Sequence, residues 1–280
     1  QWNSSGTTAV VLGSVRPKIN ARSNELGIHI LGGKRKRAWT LPTQIERVAD
    51  RHGLQGDELV RSCHLIRKIE NNAIMDGYSL YQSHFILSDE GQWTGISQGM
   101  NTATRRARRY HTRSDAVRDF CCEPHASIVG IDGNTITNLV DKGAESARTN
   151  IVQLTKESPS EVADACREVS FGDYHEVRES DVDLKKLGAA LAIAHGNEID
   201  NFEDLLLLKG LGPKTLRSLA LVSELIHGSP HRFSDPARFS FSVGGKDGRP
   251  APIDKKAYDE TIEFVSDSVE KANLGYKDKS

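Results

Sequence analysis

The chain has 280 residues, 37 Lys and Arg against 38 Asp and Glu, a formal net charge of −1, and 37% apolar residues. Its mean hydropathy is −0.48, and no apolar run approaches the roughly 20 residues that cross a bilayer as a helix. Membrane-spanning helices are therefore excluded, as is a protein that coats nucleic acid through bulk charge.

The length suits two domains, and a cytoplasmic protein is expected. The start, QWNSSGTTAVVLGSV, has neither a basic leader nor a clean apolar core, so no signal peptide is read there. The missing initiator Met suggests a chain cut from a longer one. Cysteines stand at 63, 121, 122 and 166 without a CxxC spacing, and reduced thiols are expected.

Residues 7–12, TTAVVL, are β-branched and apolar and predict a buried strand; residues 26–31, LGIHIL, predict a second, ended by Gly32 and Gly33. The basic run from Lys34 to Arg37 follows. Thr43 and Glu46 have capping-box spacing and predict a helix stopped at Gly53, and Asp57 caps the next, with Leu59, Val60, Cys63 and Ile66 at helical spacing. Residues 78–87 and 92–98 then alternate around Asp89-Glu90-Gly91 as a β-hairpin. Residues 102–111 are read as a short Arg-rich helix, and Pro124 to Gly133 as irregular chain.

From 135 to 195 the pattern is helical, and Asp200 with Glu203 has capping-box spacing at the start of a further helix. Residues 205–217, LLLLKGLGPKTLR, are the most informative stretch. An apolar helix end meets Gly210-Leu211-Gly212, and Pro213 opens a second helix where no backbone N–H is needed. Its stripe is Leu216, Leu219, Ala220 and Ile226. A turn-rich segment follows Gly228, and a last amphipathic helix is expected over 255–273. The fold class is thus α+β: an N-terminal hairpin-containing region, 1–135, and a helical region, 136–280, carrying a helix-hairpin-helix unit at about 201–228.

Two close glycines before a helix start leave several N–H groups free beside a positive helix end, which suits a phosphate. Gly210, Gly212, Lys214, Thr215 and Arg217 are the expected contacts, in the manner of helix-hairpin-helix proteins. The plainer reading is an αα-hairpin whose glycines let two helices pack closely. Some glycosylases of this kind use a lysine at the position of Lys214 with a later aspartate, here Asp235. Against that, Pro236 follows the aspartate directly, and a phosphate contact by Lys214 is preferred.

In the predicted Arg-rich helix, Arg105, Arg108 and Arg109 share one face at i, i+3, i+4 spacing and offer a phosphate clamp, with Lys34 as a further contact. The hairpin region supplies Asp76, His84 and His111 as candidates to handle protons or a metal, Mg²⁺ or Mn²⁺, although their spacing matches no metal motif. Gly244-Gly245-Lys246 is read as a glycine turn.

The motifs SSGTT at 4–8, GGK at 32–34, DGYSLYQSHF at 76–85, QGMN at 98–101, RRYH at 108–111, GLGPKTLRSLALVSELIHG at 210–228 and DPARFSFSVGGKDGRP at 235–250 occur in this order. Together they resemble a prokaryotic domain-of-unknown-function family, number seven-six-three. That resemblance implies suspected DNA binding or nuclease activity and a segment preceding this chain, but supplies no catalytic residues. The expected function is a DNA-binding protein of DNA metabolism or repair that acts as a metal-dependent nuclease. The rivals are a glycosylase using Lys214 and Asp235, a non-enzymatic DNA-binding module, and a helical interaction protein.

Overall fold

The computed structural model describes residues 5–34, 36–131, 133–158 and 199–238, with a few single positions outside these ranges. The glycine turn at 244–248, Cys166, most of 157–198 and most of the last helix expected over 255–273 lie outside the described residues, although Lys256, Asp259, Glu260 and Glu263 are helical.

The chain opens with α1 (Ser5–Ala21) and α2 (Ser23–Leu26), then β1 (Ile28–Lys34), α3 (Lys36–Trp39), α4 (Leu41–His52) and α5 (Gly56–Lys68). The π-helical segment Ile69–Ala73 continues α5 and leads into β2 (Ile74–Met75), β3 (Ser79–Ser88), β4 (Trp93–Asn101) and β5 (Arg106–Arg113). After them come β6 (Ser127–Val129), β7 (Thr135–Asn138), α6 (Glu145–Lys156), α7 (Phe202–Leu207), α8 (Pro213–His227) and β8 (Arg232–Ser234). The class is α+β.

A five-stranded antiparallel sheet runs β1-β3-β4-β5-β6, and a small one runs β2-β7-β8. On one face of the large sheet, Leu31, Phe85, Leu87 and Trp93 pack against Leu41, Ile45, Cys63 and Ile66 of α4 and α5. A second core joins Leu65 and Ile69 to Leu139, to Ile151 of α6, to Phe202 and Leu205 of α7, and to Leu216 and Leu219 of α8.

Several expectations change. TTAVVL lies in α1, because a weak local β-propensity is outweighed by a helix that is anchored to β1 further along, through Arg16 and Asn20. Gly32 and Gly33 sit inside β1 instead of ending it. Thr43 lies within α4, whose N-cap is Thr40 with Pro at the helix start, while Gly53 stops it in the left-handed region as expected. Asp57 lies in the first turn of α5, whose N-cap is Gln55. Asn201, not Asp200, caps α7 by accepting the Asp204 N–H. The hairpin of β3 and β4 is as predicted.

The largest change concerns residues 102–111. They form a turn and then β5, with burial alternating residue by residue. Arg108, Tyr110 and Thr112 face the core, whereas Arg109 and His111 face the other way.

β1 is an edge strand, and its free backbone groups are sealed by side chains. Asn20 exchanges two hydrogen bonds with Ile30 at 2.9 and 2.8 Å, Arg16 donates to the Gly32 carbonyl at 2.9 Å, and the Gly32 N–H donates to Gln44 at 3.0 Å. Such sealing blocks further strand addition. Gly32 is also held at φ +82°, where a Cβ would stand 2.3 Å from the Ser83 carbonyl. Gly32→Ala is expected to cost about 1–3 kcal/mol of stability, read by denaturant titration; an unchanged midpoint would remove this constraint.

Candidate nucleic-acid interface

α7 ends at Leu207, and the chain turns through Leu208–Gly212 into α8. Gly210 takes φ +93°, which favours glycine, and Pro213 occupies the start of α8. The loop is anchored from beneath. Lys68 donates to the carbonyls of Leu208 and Leu211 at 3.3 Å each, Asn72 donates to Leu211 at 3.2 Å, and the Leu211 side chain is buried. Carbonyls therefore point inward. The N–H groups of Gly210, Gly212, Lys214 and Thr215 have no backbone acceptor among the described residues, as the first turn of a helix requires. A Cβ on Gly212 would meet no described atom within 4 Å, so this glycine is not there for helix packing. Lys209, Lys214 and Arg217 are exposed around the loop, while Thr215 is buried.

A second basic element lies at the same end of α5. Arg67 places its guanidinium 5.9 Å from the centre of the Trp39 ring, and the next residue, Lys68, holds the glycine loop. Trp39 is 77% exposed, and Lys34, Lys36 and Arg37 beside it are exposed too. Aromatic side chains exposed among cations are the kind of surface on which bases stack in single-strand-binding proteins. The basic run at 34–37 was visible in the sequence; nothing in the sequence singled out Trp39, two residues after it.

The remaining predicted contacts are scattered by β5. Arg105 is exposed in the preceding turn at φ 54°, Arg109 is half-buried, and Arg108 is fully buried. Arg108 donates to Asp76 at 2.8 Å and, in bidentate fashion, to Asp235 at 3.1 and 2.6 Å. It also donates to the Ile131 carbonyl at 2.7 Å and lies over the Tyr78 ring. It is thus a core ion-pair hub and reaches no external phosphate.

The structure does not bring Asp76, His84 and His111 together. His84 and His111 both lie opposite Ile96 on one face of the sheet, about 10 Å apart across two strand spacings. Burial, then Arg16, pushes the His84 imidazole down to about 4. Burial, then Arg109, does the same to His111, also to about 4, so both are neutral at physiological pH. Asp76 belongs to the other face, where it accepts from Arg108 and from the Tyr110 hydroxyl at 2.5 Å. Burial pushes the Asp76 carboxyl up against the pull of Arg108 and Tyr110. These three residues share no metal position.

Asp235 is likewise committed: Arg108 and the N–H groups of Gly133 and Ala237 occupy its oxygens, while Lys214 is exposed on α8. Burial raises the Cys63 and Cys121 thiols to about 12, which makes them inert. Glu70, in the π-helical segment, is fully buried with neither oxygen hydrogen-bonded, and His125 Nε2 stands 3.7 Å away. His125 lines a cleft of about 400 Å³ with Asn138, Asp141 and Arg238.

No helix among the described residues is long and apolar enough to cross a membrane. No curated protein and no solved structure matches the chain. A family model described as "Protein of unknown function (DUF763)" matches residues 1–253.

Proposed function

The chain belongs to the DUF763 family of proteins of unknown function, and we propose that it binds the sugar-phosphate backbone of DNA at the Gly210–Thr215 loop. Gly212 carries this reading. Its position demands no glycine for packing, yet it stands among free N–H groups and exposed cations. A bare backbone allows an anion to approach amides that a side chain would shield. Contacts of this kind position a protein on DNA without reading sequence. Trp39 with Lys34, Lys36 and Arg37 extends the surface and supplies a stacking contact at the same end of α5.

The test is fluorescence anisotropy with labelled single- and double-stranded DNA across a salt series. Wild type should bind and weaken steeply with salt. Gly212→Asp sets a carboxylate against the phosphate and should weaken binding about tenfold or more. An Asp at this N-cap keeps the backbone N–H groups but sets its own carboxylate against them in competition with the phosphate and adds like-charge repulsion, which together exceed the roughly 1.4 kcal/mol that a tenfold change needs. The open space at this position keeps the variant folded, which its melting temperature would verify. Equal affinity of the two proteins would end the proposal. Adding Mg²⁺ or Mn²⁺ and resolving the DNA on a gel tests the nuclease expectation separately.

A further inference from the structure

At the opposite end of the β3–β4 hairpin, three potential ligands converge from three elements. They are His29 of β1, His52 at the last position of α4, and Asp89 in the turn between β3 and β4. Their donor atoms all lie within 4.8 Å of one another. Asp89 Oδ1 is 2.7 Å from His29 Nε2 and 3.4 Å from His52 Nε2, and the two rings meet edge to face at 5.1 Å. A structural hydrogen bond explains only the first contact. The turn is already pinned to the chain before β1 by the Asp89 N–H donating to Gly27 at 3.0 Å. His52 Nε2 is buried, makes no hydrogen bond, and still lies 3.4 Å from the same oxygen.

From this geometry we propose a divalent transition-metal site of the Zn²⁺ class, with His29, His52 and Asp89 as its protein ligands. Two imidazoles and one carboxylate suit Zn²⁺ far better than Mg²⁺, which takes oxygen ligands and keeps its waters. Tetrahedral ligands about 2.0–2.1 Å from zinc stand about 3.3 Å apart. The His52–Asp89 distance already matches, and the His29–Asp89 pair opens by about half an ångström as its hydrogen bond gives way to the metal. The C-terminal end of α4 adds a favourable field for a cation. Asp89 and His52 keep side-chain exposures of 28% and 18%, so solvent reaches the remaining coordination position. The other convergent set, Asp119, Cys121 and Glu203, is weaker, because Glu203 is paired with Arg61 and the Cys121 thiol is pushed up to about 12.

Chelator-treated full chain titrated with Zn²⁺ in a calorimeter, with melting followed in parallel, tests the site independently of DNA binding. A single saturable equivalent and a raised melting temperature are expected, with neither effect from Mg²⁺. His52→Gln and Asp89→Asn both change partly exposed groups, their melting temperatures verify that they fold, and loss of the binding in either supports the assignment. No Zn²⁺ binding by wild type, or binding undiminished in both variants, overturns it.

Discussion

Arg108→Met is expected to cost about 3–5 kcal/mol of stability, the cost of removing one partner from a buried ion pair. The side chains of Arg108, Asp76 and Asp235 are 1%, 0% and 0% exposed. Removing the guanidinium leaves two carboxylates in the core, with Asp76 keeping the Tyr110 hydroxyl and the Tyr78 N–H and Asp235 keeping two backbone N–H groups. The hub joins strand β5, the chain before β3 and the chain after β8, so the loss acts on both sheets at once. Urea or guanidinium titration measures it. Adding Asp235→Asn to Arg108→Met should recover part of the loss, because one stranded charge disappears. A single-variant cost below about 1 kcal/mol, the scale of an exposed pair, would show that the hub contributes no more than a surface contact.

Glu70→Gln is expected to act in the opposite direction, raising stability at neutral pH by a few kcal/mol, the order of the penalty for a buried carboxylate whose neighbours do not offset its desolvation. Burial pushes the Glu70 carboxyl up, and His125, Ser97 and Arg67 only partly oppose it. The folded protein therefore holds this proton more tightly than the unfolded chain does. Stability from this group is fully present below the unfolded carboxyl value and falls as pH rises toward the folded value. Wild type and Glu70→Gln should therefore be nearly equal near pH 4 and diverge as pH rises, with the variant the more stable. Melting curves across that range decide it; a constant difference between the two proteins would mean that Glu70 titrates alike in both states.

The local elements were legible where short-range physics decides. β3 and β4 alternate around a glycine turn, α4 stops at Gly53, and α8 begins at Pro213 and ends at Gly228. The loop between α7 and α8 was legible for the same reason: Gly210 takes the left-handed conformation and Pro213 the helix start that their residue types favour, whereas Gly212 is ordinary extended backbone. β5 was not, because its inward period-two positions are Arg108, Tyr110 and Thr112. A buried arginine reads as surface until its acids are known, and Asp76 and Asp235 are 32 and 127 residues away. α1 was missed because a local strand preference is outweighed by a helix that is anchored to β1 further along, through Arg16 and Asn20.

The sequence by itself thus determined the glycine loop, the hairpin and the α+β class, since turns, caps and alternation are properties of neighbouring residues. Only the tertiary structure decided that Arg108 is core, that Asp76 stands apart from His84 and His111, and that Trp39 lies at the same end of α5 as the glycine loop. Only it brought His29, His52 and Asp89 together. Burial and charge pairing depend on residues far apart in the chain, and neither periodicity nor propensity contains that distance.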